Sequence, residues 1–438
     1  MPYIFLGIFI ISIVFSFVYH IKPTTDAKAY NAIAINLAEG RGYIENIDNI
    51  NIPTKDDAII RVGPGYEFFL AGLYKIFGNH LWVVWFFQVL LRVITAFFLF
   101  KLSLEIFGDN LTGERIGLIA AVIFGLTPDL IIMGGMLLAE TLFLTLLIIS
   151  AYFSLKLLSN NKTWYLWIVG FMWGITMLVR PTALPMMLFF IGFLLYQKRL
   201  KFAFIVFLIS IICVGSWSVR NSLLFDRPLF TTTAGPIALW VGNNEFATGG
   251  YDKSPAIQKI ISENHSTDLG KIAMKEYFSF LIEHPIQFSE LQIRKTVMYF
   301  SLIRPTGFWF YLGNKPIQRL LTLGASAFGT AFLFIMGCAG LFLFYKNYKN
   351  GSIKKHFLIG LIALQPLVVI PTYVETRYRS PFLLFLALFA AYFLFQYFRR
   401  YKILFASLLV FIIFTLYDIW YNYIEISEKI NVVLSNIL

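Results

Sequence analysis

Charged residues are scarce in this sequence of 438 residues. Asp, Glu, Lys and Arg together make up 14% of it, whereas hydrophobic residues make up 58% and the mean hydropathy is +0.72. A soluble domain has about 25% charged residues. This composition therefore excludes an ordinary soluble protein and predicts a chain with several membrane-spanning helices.

Cysteine and histidine are also sparse. The two cysteines, Cys213 and Cys338, lie inside apolar runs and offer no disulfide or metal framework. The five histidines show no spacing typical of metal ligands. We therefore predict no cofactor; a divalent metal is neither required nor excluded by the sequence.

Acidic residues are in the minority, and the net charge of +12 raises the question of nucleic acid. Most basic residues lie in short loops between apolar runs, where the positive-inside rule explains them. No nucleic-acid partner is predicted. The first apolar run, residues 2–19, has neither a basic segment before it nor a small-residue cleavage site before Asp26, so we expect it to remain as a span.

Eleven apolar segments are candidates for membrane-spanning helices. They lie near residues 2–19, 81–101, 115–132, 137–157, 163–179, 182–197, 202–219, 321–345, 356–372, 380–397 and 403–421. With a cytoplasmic N-terminus, fourteen basic residues fall in the cytoplasmic short loops and three (Arg180, Arg377 and Arg379) in the opposite ones. The predicted fold is an all-α integral membrane bundle of about eleven helices, with two helical extracytoplasmic loops at about residues 20–80 and 220–320.

The two long loops carry helical patterns. In residues 65–78 the apolar residues Phe69, Leu73, Ile76 and Phe77 form the stripe of a helix that lies in the membrane interface. Residues 255–300 predict two or three amphipathic helices, interrupted at His284 because the residue before a proline avoids the helical conformation. We expect no separate soluble domain, so any chemistry takes place at the outer membrane face.

Several ionisable residues gather at that face in this topology. Charges within a bilayer are costly and mark candidates for function. The set comprises Asp26, Arg61, Glu140, Arg180, Arg220, Arg377 and Arg379, whereas Arg92 lies in the middle of the second span.

Each of these residues also has a structural interpretation. Asp26 follows two threonines and could begin a helix. Glu140 could pair with Arg92 or another arginine, and an arginine at the end of a span often extends to the headgroups. As a group, however, arginines bind phosphate through a planar fork of donors, and a single carboxylate can take the proton of an acceptor hydroxyl. The pattern indicates group transfer from a phosphate-linked lipid, although ion pathways and lipid transporters also collect arginines.

Six stretches, in order along the chain, resemble the GT-C membrane glycosyltransferases, in the branch that contains the protein O-mannosyltransferases and the lipid A aminoarabinose transferase. They are DAKAYNAIAINLAEGRGY (26–43), RVGPGYEFFLAGLYKIFG (61–78), LLAETLFLTLLIISAYF (137–153), GITMLVRPTALPMM (174–187), GSWSVRNSLLFDRPLFTTTAGPIALWVGNN (215–244) and ETRYRSPFLLFLAL (375–388). The similarity covers most of residues 1–400.

The resemblance implies a polyprenyl-phosphate-linked sugar as donor. It assigns the catalytic base to Asp26, and Glu140 is the second catalytic candidate. The residues expected to bind substrate are Lys28, Tyr30, Arg61, Tyr66, Arg180, Arg220, Arg377, Tyr378 and Arg379. Ala27 and Lys28 stand where better-known members carry a second acid, or a glutamate and an arginine.

The expected function is transfer of a single sugar to a hydroxyl of an extracytoplasmic glycolipid, glycan or protein, with inversion. Residues 1–400 would form the catalytic module, and residues 401–438 the last transmembrane helix and a short outer tail. The expected location is a prokaryotic plasma membrane, with the site on the extracytoplasmic side. Two alternatives remain: an oligosaccharide ligase or polymerase that uses pyrophosphate-linked glycans, and a lipid or sugar transporter, which the lack of internal repeats disfavours.

Overall fold

The computed structural model is built from α-helices. It describes residues 1–45, 63–160, 162–226, 228–229, 231–251, 254–264, 266–304, 316–348, 352–398, 400–424, 426–427 and 431, and within them it has no β-strand. In chain order the helices are α1 (Pro2–Tyr19), α2 (Asp26–Ala38), α3 (Gly65–Phe77), α4 (Leu81–Phe107), α5 (Leu111–Leu126), α6 (Pro128–Gly135), α7 (Glu140–Ser159), α8 (Trp164–Val179), α9 (Leu184–Tyr196), α10 (Leu200–Phe225), α11 (Ala234–Val241), α12 (Pro255–Glu263), α13 (Ser266–Glu283), α14 (Pro285–Phe300), α15 (Pro316–Asn347), α16 (Ile353–Val369), α17 (Ser380–Tyr397) and α18 (Tyr401–Tyr421).

The long apolar helices confirm an integral membrane protein. Among the described residues, seven helices are long and apolar enough to cross a membrane: α1, α4, α7, α10, α15, α17 and α18. Helices α5 and α6 together would make an eighth. All eleven segments predicted from hydropathy lie on helices, although α8, α9 and α16 have only 16, 13 and 17 residues and are shorter than a typical span.

The segment predicted as one span at residues 115–132 is broken. Helices α5 and α6 meet at an angle of 59°. Pro128 has no backbone N–H and holds Thr127 in an extended conformation, with φ −64° and ψ 116°, so the helix cannot continue through this point. The next helix, α7, begins at Glu140 and not at residue 137.

Helix α17 lies at the centre of the bundle. Of its most apolar stretch, 78% is buried, and it packs against α15 and α5. Helices α1 and α18 are only 17% and 11% buried by the same measure, because their apolar side chains face the lipid. The residues just before α17 are therefore attached to the most enclosed helix of the molecule.

The loop regions form short helices at one end of the bundle. The amphipathic helix predicted at residues 65–78 is α3, and the three helices α12, α13 and α14 occupy residues 255–300. The predicted break is confirmed: His284 has φ −127° and ψ 54°, outside the helical region. Helix α3 packs against α2, α4 and α8, and α14 packs against α13 and α18.

A cluster of ion pairs around Glu105 lies at the opposite end of the bundle. Glu105, near the end of α4, accepts contacts from Lys156 of α7 at 2.5 Å and from Lys354 of α16 at 2.6 Å. A cavity of about 460 Å³ lies at the same end, in the turn between α9 and α10, and is lined by Lys198, Arg199, Leu200, Lys201 and Phe202. These basic residues belong to the set that the positive-inside rule assigns to the cytoplasm.

Candidate active site

Asp26 is the first residue of α2, and six residues separate it from the end of α1 on the chain. The preceding residue, Thr25, has φ 45° and ψ −120°, a conformation that a β-branched residue rarely adopts. The carboxylate lies in the first turn of the helix, where the helix dipole stabilises a negative charge. Asp26 thus does begin a helix, as its structural interpretation requires, and its side chain also stays 34% exposed.

Arg377 forms an ion pair with Asp26. Its Nη2 donates a hydrogen bond of 2.7 Å to the Oδ2 of Asp26, across 351 residues of sequence. Arg377 lies in a short 3₁₀ turn, Thr376–Arg379, that leads directly into α17. The resemblance placed both residues at the site, and the structure brings them into contact.

Glu140 extends this pair into a chain of four charged groups. It is the first residue of α7, its side chain is only 2% exposed, and its Oε1 lies 2.7 Å from the Nη2 of Arg180. The same oxygen lies 3.8 Å from the Nε of Arg377. The contacts are ion pairs rather than aligned hydrogen bonds, and the two carboxylates and two guanidiniums balance in charge. The partner of Glu140 is Arg180 and not Arg92, whose Nε donates to Ser12 Oγ at 3.0 Å.

Arg180 directly follows α8, and its position follows from two neighbouring features. Pro181 comes next and keeps Arg180 extended, with φ −145° and ψ 116°. Gly63 and Gly65 pack directly on the last residues of α8: a Cβ on Gly63 would lie 2.4 Å from the carbonyl oxygen of Leu178. Only glycine permits this approach, which joins the start of α3 to the Arg180 junction.

An aromatic layer lies beneath the charged chain. Arg180 and Arg377 both contact the ring of Tyr378, each with its Cζ 5.2 Å from the ring centroid. Tyr30 is buried below Asp26 and packs edge-on against Tyr66, with the centroids 5.4 Å apart. Burial, reinforced by the Asp26 carboxylate, raises the pKa of Tyr30 well above its usual value, so its hydroxyl stays protonated.

Tyr66 is held by a residue that the sequence did not single out. Its hydroxyl donates to Gln88 Oε1 at 2.9 Å, and Gln88 Nε2 donates to the carbonyls of Gly134 and Met136 at 3.0 and 2.7 Å. Gln88 therefore links α3 and α4 to the segment that leads into Glu140. A single glutamine within an apolar span is the only signal that could have indicated this role.

Three further predicted residues, Lys28, Arg220 and Arg61, lie outside this chain of ion pairs or outside the described residues. Lys28 is exposed on the first turn of α2, two residues from Asp26. Arg220 belongs to a separate outer cluster, where its guanidinium lies 4.6 Å from the ring centroid of Trp217 and 5.7 Å from that of Tyr43. Arg61 lies outside the described residues.

Arg379 does not join the chain of ion pairs. It is 1% exposed, and its guanidinium donates to the backbone carbonyls of Met298, Ser301 and Arg304. These carbonyls belong to the end of α14 and the residues after it, where a cation also interacts favourably with the helix dipole. Two arginines that stand two positions apart thus have different surroundings.

A buried lysine in the second long loop was also missed. Lys295 of α14 is completely buried, and its Nζ donates to Asn243 Oδ1 at 2.7 Å and to the carbonyl of Thr372 at 2.9 Å. The loop at Thr372 leads to the 3₁₀ turn Thr376–Arg379, which we call the arginine turn. Lys295 and Asn243 therefore attach the second long loop to the segment that leads into this turn. Burial lowers the pKa of Lys295 to about 7.

No group of three or more His, Cys, Asp or Glu side chains within the described ranges is arranged to hold a metal ion. The charged chain instead alternates carboxylates with guanidiniums. Such an arrangement can bind an anion through Arg180 and Arg377 and can accept a proton at Asp26.

Comparisons with known proteins bear on the family and the fold of the chain. Residues 61–218 match the model of the family described as dolichyl-phosphate-mannose-protein mannosyltransferase. The fold is similar to that of the archaeal oligosaccharyltransferase AglB of Archaeoglobus fulgidus, solved with an inhibitory peptide and a dolichol-phosphate: the TM-score is 0.50 at 14% identity, over 98% of this chain and 56% of that one. The resemblance to the GT-C glycosyltransferases is confirmed.

Two further solved structures are similar to the chain to different degrees. The oligosaccharyltransferase of Archaeoglobus fulgidus in complex with zinc and sulfate gives a TM-score of 0.52 at 16% identity, over 97% of this chain and 52% of that one. ArnT of Cupriavidus metallidurans, bound to undecaprenyl phosphate, gives 0.44 at 10% identity, over 88% and 76%. No curated protein matches the chain in sequence. The chain spans little more than half the length of the two oligosaccharyltransferase chains.

Proposed function

We propose that this protein is a membrane glycosyltransferase that moves a single sugar from a polyprenyl-phosphate carrier to a hydroxyl of an extracytoplasmic acceptor. The acceptor would be a glycolipid, a glycan or a protein. The observation that carries the proposal is the chain of contacts Asp26–Arg377–Glu140–Arg180, at one end of a bundle with the GT-C fold. The family model and the dolichol-phosphate in the AglB structure support a lipid-phosphate donor.

The four residues have separate roles in this proposal. Asp26, the more exposed of the two carboxylates, takes the proton of the acceptor hydroxyl as that oxygen attacks the anomeric carbon. The bond from the anomeric carbon to the phosphate oxygen breaks, and polyprenyl phosphate leaves with the electron pair. Arg180 and Arg377 stabilise the charge that grows on the leaving phosphate. Attack opposite the leaving group inverts the sugar configuration.

Other predicted residues complete the proposed site. Lys28 and Arg61 would approach the donor phosphate from the first outer loop, and Tyr30, Tyr66 and Tyr378 would form its floor. Arg220 would contact the acceptor or the lipid from its outer cluster with Trp217 and Tyr43. Arg379 would not contact the substrate; it would hold the arginine turn in place through its hydrogen bonds to the carbonyls at and after the end of α14. The proposed catalytic module extends over residues 1–400, with residues 401–438 as the last helix and an outer tail.

The proposed orientation places this end of the bundle outside the cytoplasm. The ion cluster around Glu105 and the basic turn at Lys198 lie at the other end, which suits the cytoplasmic side of a prokaryotic plasma membrane. Cysteine introduced at position 28 should then react with an impermeant maleimide in intact cells, whereas cysteine at position 198 should react only after permeabilisation.

The decisive test is Asp26→Asn. The amide keeps the size of the side chain and can still accept a hydrogen bond from Arg377, but it cannot take a proton. We expect transfer from a radiolabelled polyprenyl-phosphate sugar to fall by about 10² to 10⁴, the usual loss of a general base. The matched control is Asp226→Asn, an exposed position with φ 52° that suits asparagine, and it should retain full activity. Transfer by Asp26→Asn within a few-fold of wild type at equal expression would remove Asp26 as the base.

The same assay separates the alternative of an oligosaccharide ligase or polymerase. Donors with a monophosphate link and with a pyrophosphate link, each on the same polyprenol, would be offered to the purified protein. The proposal predicts use of the monophosphate donor. Exclusive use of the pyrophosphate-linked glycan would assign the ligase or polymerase function instead.

A further inference from the structure

Arg377 forms an ion pair with Asp26, the carboxylate that the proposed reaction needs as a base. Its Nη2 lies 2.7 Å from Asp26 Oδ2. A carboxylate that is paired with a guanidinium is a weaker base, because a proton must displace the cation before it can bind. In the protein without substrate, Asp26 is therefore held in a state that is poorly suited to catalysis.

The pair is also the most accessible part of the charged chain. The side chains of Arg377 and Asp26 are 21% and 34% exposed, whereas those of Arg180 and Glu140 are 10% and 2% exposed. An incoming anion would thus meet Arg377 before the buried pair. Arg180 and Glu140 already balance each other at 2.7 Å behind it.

Arg377 has a second attachment that does not depend on Asp26. Its Nε lies 3.8 Å from Glu140 Oε1, and its Cζ lies 5.2 Å from the centroid of the Tyr378 ring. A guanidinium has five N–H donors in a planar fork, so the Nη2 edge can change partner while Nε remains near Glu140.

We propose that Arg377 leaves Asp26 for the donor phosphate, so that Asp26 loses this ion pair, and becomes a stronger base, only once the donor is bound. This inference rests on the proposed function. The donor phosphate accepts hydrogen bonds from Nη1 and Nη2 of Arg377, and Asp26, no longer paired with Arg377, lies beside the anomeric carbon. Asp26 then takes the hydroxyl proton, the new glycosidic bond forms, and the phosphate leaves with the electrons of the broken bond. After the product phosphate departs, the proton returns to solvent and the ion pair forms again.

The proposal makes binding ordered. The acceptor hydroxyl meets a competent base only after the donor has entered, so the enzyme binds the donor first. The leaving group, polyprenyl phosphate, should itself release Asp26, because it carries the phosphate but no sugar. It is therefore a probe of the exchange that involves no glycosyl transfer.

The experiment measures carbodiimide modification of Asp26 by peptide mass spectrometry, on the full-length protein in nanodiscs at one fixed pH. Carbodiimides react with the protonated carboxyl group, and a neighbouring cation reduces the proton affinity of a carboxylate by roughly tenfold or more. We expect polyprenyl monophosphate to increase Asp26 modification roughly tenfold in the wild-type protein. Arg377→Gln should show the increased level without lipid, and lipid should add little. Arg41→Gln, which removes an exposed arginine after α2, should respond as the wild type does.

The outcomes separate the two proposals. Binding of polyprenyl monophosphate is followed in parallel by competition with a fluorescent polyprenyl phosphate. If the lipid binds while Asp26 modification stays constant or falls, the exchange is wrong and the proposed function stands. If the lipid does not bind and no transfer occurs, both proposals are wrong. The wild-type comparison needs no substitution, so the test holds even if Arg377→Gln fails to fold.

Discussion

At the scale of single residues, Glu140 has the most demanding position. One of its oxygens lies near two guanidiniums, and the side chain is almost completely buried. Two arginines this close would repel each other without a carboxylate between them. Glu140 therefore permits Arg180 and Arg377 to share a site, whether or not it contacts substrate.

A double-mutant cycle on Glu140 and Arg180 measures this contribution. Glu140→Gln leaves Arg180 without this carboxylate, and Arg180→Gln leaves Glu140 with the more distant Arg377 at 3.8 Å. Removal of one partner of a buried ion pair typically costs about 3 to 5 kcal/mol of unfolding free energy. The double variant should lose less than the sum of the single losses, by about 1 kcal/mol or more. Thermal unfolding in detergent, followed by the reactivity of Cys213 and Cys338, gives the comparison. Additive losses would mean that the two side chains do not stabilise each other.

The same scale shows why residue roles were only partly predictable. Sequence order suggested that Asp26, Glu140 and the outer arginines share a face, and in the structure Asp26, Glu140, Arg180 and Arg377 lie together. The partners within the set were not predictable, because they depend on contacts between residues far apart in sequence. Arg377 and Arg379 look equivalent in the motif, yet a 3₁₀ turn directs one to Asp26 and the other to the carbonyls after α14.

At the scale of elements, the contact between α3 and α8 decides where Arg180 lies. The approach depends on Gly63 and Gly65, since a Cβ on Gly65 would lie 2.7 Å from Val179 Cγ2. The hydrophobic stripe predicted α3 correctly as a helix, but it carries no information on which surface that helix meets. The glycines in the quoted motif were visible in the sequence, whereas the backbone they contact was not.

Substitution of these glycines tests the contact. Gly63→Ala should displace the start of α3, because the new methyl group would lie 2.4 Å from the carbonyl oxygen of Leu178. We expect reduced glycosyl transfer and a lower unfolding temperature. The matched control is Gly72→Ala on the same helix, where a new Cβ meets no atom within 4 Å. It should preserve activity and add about 0.5 to 1 kcal/mol through helix propensity. Equal behaviour of the two variants would show that the close approach has no role in the site.

At the scale of the whole molecule, two distant parts of the chain are joined at a buried amine. Lys295 of α14 donates to Asn243 in the turn after α11 and to the carbonyl of Thr372 ahead of α17. The helical pattern of residues 255–300 predicted the helices and their break. The pattern could not identify Lys295 as buried. It distinguishes the apolar face of a helix from the polar face, but it does not show which polar residues are covered by another loop.

The stability of the protein should depend on pH through Lys295. Its pKa is lowered from 10.5 to about 7 by burial, so between these values the unfolded chain binds more protons than the folded one. The free energy of unfolding therefore rises with pH across this window. Wild type should gain stability relative to Lys295→Met between pH 7 and pH 9, as measured by thermal unfolding. Lys275→Met, which removes an exposed amine on α13, should follow the wild type. If the difference in stability between wild type and Lys295→Met does not vary with pH, the lowered pKa of Lys295 is wrong.

The pairing of Asp26 with Arg377 also has a consequence for biosynthesis. The two residues are separated by 351 positions, and ribosomes add about 5 to 20 residues per second. Roughly 20 to 70 s pass between the synthesis of the aspartate and that of its arginine. Throughout that interval the first helices are already in the membrane without Arg377. Under the proposed function, activity therefore arises late, and a nascent chain released before residue 377 should be inserted but inactive.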